Sequence, residues 1–138
     1  MKQIKQWKLI LTMMFIGLVA VACSDKHDTP ESVATAFVYA LEKGNANKIM
    51  DIAYIPEGKT DRDKQAVSGK LEMMAVAAAG EIKEKGGLKS IAVKSIEYNQ
   101  DKTRASVSLS ITYKDAKAMP KTERVNTINT KEGWKVRL

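Results

Sequence analysis

The sequence predicts an α+β fold in which three N-terminal helices lie against one face of an antiparallel sheet of about four strands. From residue 29 to about residue 85, apolar residues recur at the three- and four-residue spacing of helices. After Gly87 they alternate every second residue, as in strands. The pair Gly86-Gly87 marks the change, because tandem glycines interrupt a helix. Helices therefore precede strands in the chain, which favours an antiparallel sheet over a parallel one.

Each predicted helix has its own start signal. The first begins at Thr29–Glu31, with a capping hydroxyl, a proline and an early acid, and it ends at Gly44. The second is shorter and is capped by Asn45. The third begins at Thr60–Asp63, which resembles a capping box, and continues to about Lys85. The spacing predicts that the buried stripe of this third helix contains Val67, Leu71, Met74, Ala78 and Ile82.

The strands follow in one half of the chain. In the first strand the apolar phase slips by one residue near Lys94-Ser95, which predicts a β-bulge. A turn at 99–102 leads to a strand with strict alternation at residues 104–113. A third strand is predicted around Glu123 to Thr130. The last strand should carry Trp134, Val136 and Leu138 on one face.

Residues 1–22 have the pattern of a secretory signal peptide. Lys2, Lys5 and Lys8 give a basic start. The apolar stretch from Leu9 to Ala22 has 14 residues. A membrane-spanning helix needs roughly 20, so a removable signal is favoured over an anchor. The stretch leads to Cys23, the only cysteine of the chain.

Cys23 follows Ala20-Val21-Ala22, which resembles the lipobox of bacterial lipoproteins with alanine in place of the usual leucine. The resemblance implies cleavage before Cys23, a diacylglycerol thioether on its sulfur and acylation of its amine. The next residue is Ser24 and not Asp, which by the same resemblance implies sorting to the outer membrane. The alternative is an ordinary cleaved signal peptide in which Cys23 has no role.

Removal of the signal alters the charge of the chain. Three of the 23 basic residues and none of the 16 acids lie in residues 1–22, so the net charge falls from +7 to +4. That value is ordinary for a soluble domain, and nucleic acid is not a predicted partner. Residues 23–28 are predicted to be the lipidated cysteine and a short tether, and residues 29–138 form one domain. Extended, the five tether residues after Cys23 span about 17 Å.

The domain resembles the nuclear transport factor 2-like superfamily and, within it, small bacterial lipoproteins that carry domain of unknown function 4878. The resemblance covers residues 29–138, and its soft motifs are Phe37 and Leu41, the Gly44-Asn45 junction, Ile49 and the terminal Gly133–Val136. It implies a cone in which the helices close over a curved sheet, often around a pocket. Enzymes and non-enzymes share this fold, so the fold by itself implies no activity.

Candidate pocket residues are few. Asp51 and Tyr54 are three apart on the second helix and could share a face in the cone mouth, although a surface Asp with a packing Tyr is the alternative. Four further aromatic residues could line the pocket or belong to the core: Tyr39, Tyr98, Tyr113 and Trp134. The only histidine, His27, lies in the tether and is expected to be exposed and not catalytic. No catalytic motif, metal site or cofactor is predicted.

The outer face of the central strand is unusual for a solvated one. It presents small uncharged residues in a row, which could pack on a second copy of the chain or simply face solvent: Ser106, Ser108, Ser110 and Thr112.

These observations predict a non-enzymatic, lipid-anchored envelope protein that binds a protein partner or a small apolar ligand. Its expected place is the periplasmic face of the outer membrane, reached through the lipid on Cys23. Two alternatives remain. One is a lipoprotein displayed on the cell surface that contacts host molecules, and the other is a cone pocket that binds a ligand or catalyses a reaction.

Overall fold

The structure is a computed structural model that describes residues 27–138. The predicted signal peptide, Cys23 and most of the tether lie outside the described residues. The elements follow the predicted order, and they are α1 (Pro30–Glu42), α2 (Ala46–Ile52), α3 (Asp61–Glu84), β1 (Leu88–Tyr98), β2 (Arg104–Tyr113), β3 (Lys121–Thr130) and β4 (Gly133–Val136). The strands form an antiparallel meander in the order β1-β2-β3-β4, which confirms the predicted α+β class.

The helix caps act as the sequence indicates. The Thr29 hydroxyl accepts a hydrogen bond from the backbone N–H of Ser32 at 3.2 Å. At the start of α3, the Thr60 hydroxyl accepts from the N–H of Asp63, and the Asp63 carboxylate accepts from the N–H of Thr60. Gly44 ends α1 in the left-handed region, with φ of 62°, where glycine avoids the strain of a Cβ.

The sheet register confirms the predicted bulge. The pairing of β1 with β2 shifts between Val93 and Ser95. The turn that follows β1 closes when the N–H of Asn99 donates to the carbonyl of Arg104 at 3.0 Å. Beyond it, alternate residues of β2 are buried and half-buried along its length, which fixes which face of the sheet meets the helices.

The core lies between α1 and the inner face of the sheet. Helix α1 contacts all four strands, and α2 and α3 pack against α1 in turn. The largest fully buried apolar side chains come from α1, α2 and the strands, and they are Val33, Val38, Ile49, Val107, Leu109 and Val136. They belong to one cluster of packed buried residues to which all three helices and all four strands contribute, so the described part of the chain has one continuous core.

Three expectations about burial are corrected by the structure. On α3 the fully buried positions are Leu71, Ala75 and Ile82, and the predicted Ala78 is half-buried. This helix packs on other helices, so a narrow strip of it is covered. Leu138 lies beyond β4 and is 61% exposed, because the strand ends at Val136.

His27 is the third correction, since it is buried and not exposed. Only 6% of its surface is accessible. Its Nδ1 lies 2.8 Å from the Ser32 hydroxyl, and its carbonyl accepts a hydrogen bond from the N–H of Trp134 at 2.8 Å. The sequence around His27 does not indicate these contacts, because the partners, Ser32 and Trp134, are brought to it only by the folding of α1 and β4.

Leu109, at the centre of β2, provides a test of the core. Replacing the fully buried Leu109 with Ala should lower the free energy of unfolding by about 3 kcal/mol, through lost burial and the cavity left behind. Urea denaturation of a soluble form that begins at Ser24 measures the change. Met73→Ala is the matched control, because Met73 is 76% exposed on α3, and its effect should stay within about 0.5 kcal/mol. Equal midpoints for the two variants would contradict this account of the core.

Candidate binding groove beside the edge strand

A groove of about 560 Å³ lies between the segment that leaves α2 and the β3–β4 hairpin. Its apolar walls come from Met50, Tyr54, Ile55 and Ile128. Polar and charged side chains surround these walls, and they are Asp51, Glu57, Asn129, Thr130, Lys131, Glu132 and Lys135. An apolar surface bordered by a few polar groups is the usual form of a small-molecule site.

One backbone contact shapes the groove. Helix α2 ends at Ile52, and the chain becomes extended at Ala53, which forms a parallel bridge with Val136 of β4. The N–H of Tyr54 then donates to the carbonyl of Val136 at 2.7 Å. The segment after α2 therefore lies along the outer edge of β4 and covers part of it, as edge strands commonly require. This pairing places Tyr54 at the groove.

Lys135 carries a positive charge into the groove. It occupies the middle of β4, between two buried residues, so its side chain leaves the sheet on the side away from the core. Its ammonium donates to the main-chain carbonyl of Asp51 at 2.6 Å and lies 3.7 Å from the Glu132 carboxylate. The carbonyls at the C-terminal end of a helix lack helical partners, and a cation satisfies them and complements the helix dipole. The side chain is 22% exposed, and it joins α2 to the edge of the sheet.

Asp51 and Tyr54 therefore lie at the same groove, as their spacing suggests. The groove opens beside the edge strand, however, and not between the helices and the inner face of the sheet. Asp51 engages Lys135 through its carbonyl oxygen, whereas its side chain is exposed. Tyr54 is 37% exposed, which leaves much of its ring available to a ligand. Lys135 is not among the site residues predicted from the sequence. The only sequence signal for it is its position in β4, where the residues on either side of it point inward.

The other predicted pocket residues lie elsewhere. Trp134 is buried, and its ring meets that of Tyr98 edge to face, with 6.1 Å between the ring centroids. Burial, with a smaller contribution from the nearby Glu31 carboxylate, raises the pKa of the Tyr98 phenol above its usual range. Tyr113 is buried at the other end of the sheet, where the Lys85 ammonium lies 4.7 Å from its ring centroid. Tyr39 lies exposed on α1. The six predicted residues therefore do not line one cavity.

Small residues cover the outer face of β2 and extend onto the neighbouring strands β1 and β3. Ser106, Ser108, Ser110 and Thr112 are all half-buried, and each alternates with a core residue. The Ser106 hydroxyl donates to the Asn126 side-chain carbonyl of β3 at 2.8 Å. The partners opposite this row are Ser90, Ala92, Ser95 and Glu97 on β1 and Thr122, Arg124 and Asn126 on β3. Small uncharged residues predominate on this face, and an exposed ion pair between Glu97 and Arg124, 3.4 Å apart, lies beside Ser106 and Ser108.

Two features are absent from residues 27–138. In this part of the chain, no three His, Cys, Asp or Glu side chains come together in a way that could hold a metal ion. Within the same range, no helix has both the length and the apolar character needed to cross a membrane.

The profile of the domain of unknown function 4878 (DUF4878) family matches residues 21–137, almost the whole chain. The chain belongs to the DUF4878 family. No functionally curated protein matches it. The description of the DUF4878 family assigns no activity to its members.

Two solved structures share the fold of this DUF4878 domain. One is a Campylobacter jejuni protein provisionally described as an NTF2-like (nuclear transport factor 2-like) transpeptidase, with a TM-score of 0.72 and 23% identity over 80% of this chain and 99% of that one. The other is a Thiobacillus denitrificans protein provisionally described as a calcium/calmodulin-dependent protein kinase type II association domain. It has a TM-score of 0.51 and 16% identity over 80% of this chain and 91% of that one. At these identities the likeness shows the fold, which is NTF2-like as the sequence predicts.

The contact of Lys135 with α2 provides a test of how the groove is held. Lys135→Met keeps the aliphatic stem but removes the ammonium, and it should lower the free energy of unfolding by about 1 kcal/mol, since the Asp51 carbonyl loses a charged donor. Chemical denaturation measures the loss. Lys131→Met, at an exposed position of the same hairpin, should leave stability nearly unchanged. If both variants were as stable as the parent, Lys135 would not hold α2 to the sheet.

Proposed function

We propose that this protein is a lipid-anchored component of the outer membrane. Its DUF4878 domain binds a small, mostly apolar ligand and does not catalyse a reaction on it. The groove beside β4 carries the binding part of the proposal. Its walls are apolar, Tyr54 offers an exposed ring, and polar groups at the rim can orient a ligand. The pattern of residues 1–22 and the single Cys23 support the anchor.

The arrangement of polar groups favours binding over catalysis. Lys135 already donates to a main-chain carbonyl, and none of the residues that line the groove is a histidine. Glu57 and Glu132 also line the groove, but Glu132 is paired with Lys135 and not with Asp51 or Tyr54. General acid–base catalysis needs groups that converge on one reacting atom, in surroundings that adjust their pKa values. The transpeptidase description of the Campylobacter jejuni protein is therefore not carried over to this chain.

The anchor is tested by Cys23→Ala in the full-length chain. Loss of the thioether should move the protein from the membrane to the soluble fraction, because no lipid then holds it. Mass spectrometry of the N-terminal peptide should show acyl chains on Cys23 of the parent and none on the variant. A parent protein with an unmodified Cys23 would overturn the lipoprotein proposal and support an ordinary cleaved signal. Density separation of the membranes tests the outer-membrane assignment.

The groove is tested with an apolar fluorescent dye, 1-anilinonaphthalene-8-sulfonate, as the probe. Tyr54→Ala should weaken dye binding at least about fivefold, because it removes one wall of the groove. Tyr39→Ala is the matched control, since Tyr39 is a similarly exposed tyrosine on α1, outside the groove. If the two variants bound dye equally well, ligand binding at this groove would be contradicted.

A second copy of the chain is the proposed protein partner, through the outer face of β1, β2 and β3. The observation in favour is the row of half-buried small residues on β2, whose short side chains would let a second sheet approach, with the Glu97–Arg124 ion pair beside them. Ser108→Arg should convert a dimer to a monomer in sedimentation of the soluble form. A parent that sediments as a monomer at high micromolar concentration would end this proposal.

Protease treatment of intact cells separates periplasmic placement from surface display, since a periplasmic domain stays protected.

A further inference from the structure

His27 fixes where the chain enters the folded domain. It is buried, and it is held by the N–H of Trp134 and by the hydroxyl of Ser32. Only residues 24–26 therefore separate Cys23 from the folded domain, two residues fewer than in the tether expected from the sequence. Four Cα–Cα steps separate Cys23 from His27, which limits their distance to about 15 Å.

The attachment point lies at one end of the sheet. The β1–β2 turn (99–103) and the β3–β4 turn (131–132) are neighbours there, since the N–H of Asn129 donates to the carbonyl of Thr103 at 2.7 Å. Trp134, which holds His27, follows the second turn directly. We call residues 99–103 and 130–133 the hairpin end.

The opposite end of the domain is built from residues 85–87 and 114–120. The N–H of Lys114 donates to the carbonyl of Gly87 at 2.9 Å, and the N–H of Asp115 donates to that of Lys85 at 3.1 Å. We call these residues the glycine-turn end. Strand β2 runs from one end to the other, from Arg104 to Tyr113, and its length is about 30 Å at roughly 3.3 Å per residue. The two ends are thus separated by about twice the reach of the link.

We propose that the hairpin end rests on the surface of the phospholipid bilayer that holds the lipidated Cys23, with the strands directed away from it. This inference rests on the anchor proposed above. The short link keeps the hairpin end at the headgroups, and the exposed ring of Tyr98, 48% accessible beside the buried Trp134, is suited to that interface. The glycine-turn end then faces the periplasm.

Charge does not determine this orientation. The hairpin end, its immediate flanks and the entry residues 27–28 together have equal numbers of basic and acidic residues, which are Lys102, Arg104 and Lys131 on one side and Asp28, Asp101 and Glu132 on the other. Attraction to anionic lipids is therefore small, and the covalent link dominates. The orientation should consequently persist at high salt and in neutral lipids.

The proposed orientation limits the class of ligand that can reach the groove. Lys131 and Glu132 belong both to the hairpin end and to the groove rim, so the groove opens close to the lipid headgroups. An apolar molecule that partitions into the membrane surface could reach it without crossing the aqueous periplasm. The ligand class that fits is therefore an amphipathic molecule supplied by the bilayer.

The test uses the full-length lipoprotein, purified with its acyl chains and reconstituted in vesicles of phosphatidylethanolamine and phosphatidylglycerol. Since lipid occupies the only native thiol, a new cysteine takes a fluorescent label specifically. Lys131→Cys labels the hairpin end, and Lys117→Cys, the matched control, replaces another exposed lysine at the glycine-turn end. A headgroup-attached spin label quenches the fluorophores according to their height above the membrane.

Quenching should be at least about twofold stronger at position 131 than at position 117, because the two positions differ in height by about 30 Å. High salt should leave this ratio unchanged, and a long Gly/Ser insert after Ser24 should reduce it. Equal quenching at both positions, or a ratio that the insert does not alter, would overturn the proposal. A protein that fails to float with vesicles and lacks acyl chains would instead contradict the anchor.

Discussion

The structure depends on the burial of one face of β2 beneath α1. Val107 and Leu109 on the strand and Val33 on the helix are wholly inaccessible, and α1 touches every strand of the sheet. Each leucine or valine side chain buried in this way contributes about 1.5–3 kcal/mol. The second and third helices pack on α1, so their positions follow from this first contact. The opposite face of β2 carries hydroxyl side chains.

The groove occurs at the edge of the sheet and not in its interior. The edge strand β4 would present unpaired backbone groups, and the segment at Ala53 and Tyr54 pairs with part of it. The same segment ends α2, whose last carbonyls attract the Lys135 ammonium. Two ordinary requirements of backbone hydrogen bonding thus bring an aromatic ring, a lysine and an apolar wall together. The groove is a consequence of how the edge is closed.

The burial of His27 links the folded domain to its proposed membrane anchor. A histidine in an exposed tether would leave the domain free to tumble above the lipid, whereas one held by the β4 backbone makes the link short. In the proposed orientation, the turns at one end of the sheet lie beside the lipid and the glycine turn at the other end faces the periplasm. The proposed orientation and the proposed access of the ligand both follow from the burial of His27.

The sequence by itself determined the elements of this protein, because their signals are local. The caps at Thr29 and Thr60, the glycine that ends α1 and the phase slip near Lys94 each depend on residues close together in the chain, and the structure has all of them. Family membership was also predictable from soft motifs spread along the domain. Only the tertiary structure decided that His27 is buried, that Asp51 and Tyr54 meet Lys135, and that Tyr98 and Tyr113 lie at opposite ends of the sheet. These contacts join residues up to 107 positions apart in the chain, as His27 and Trp134 are, and no local spacing encodes which distant groups will meet.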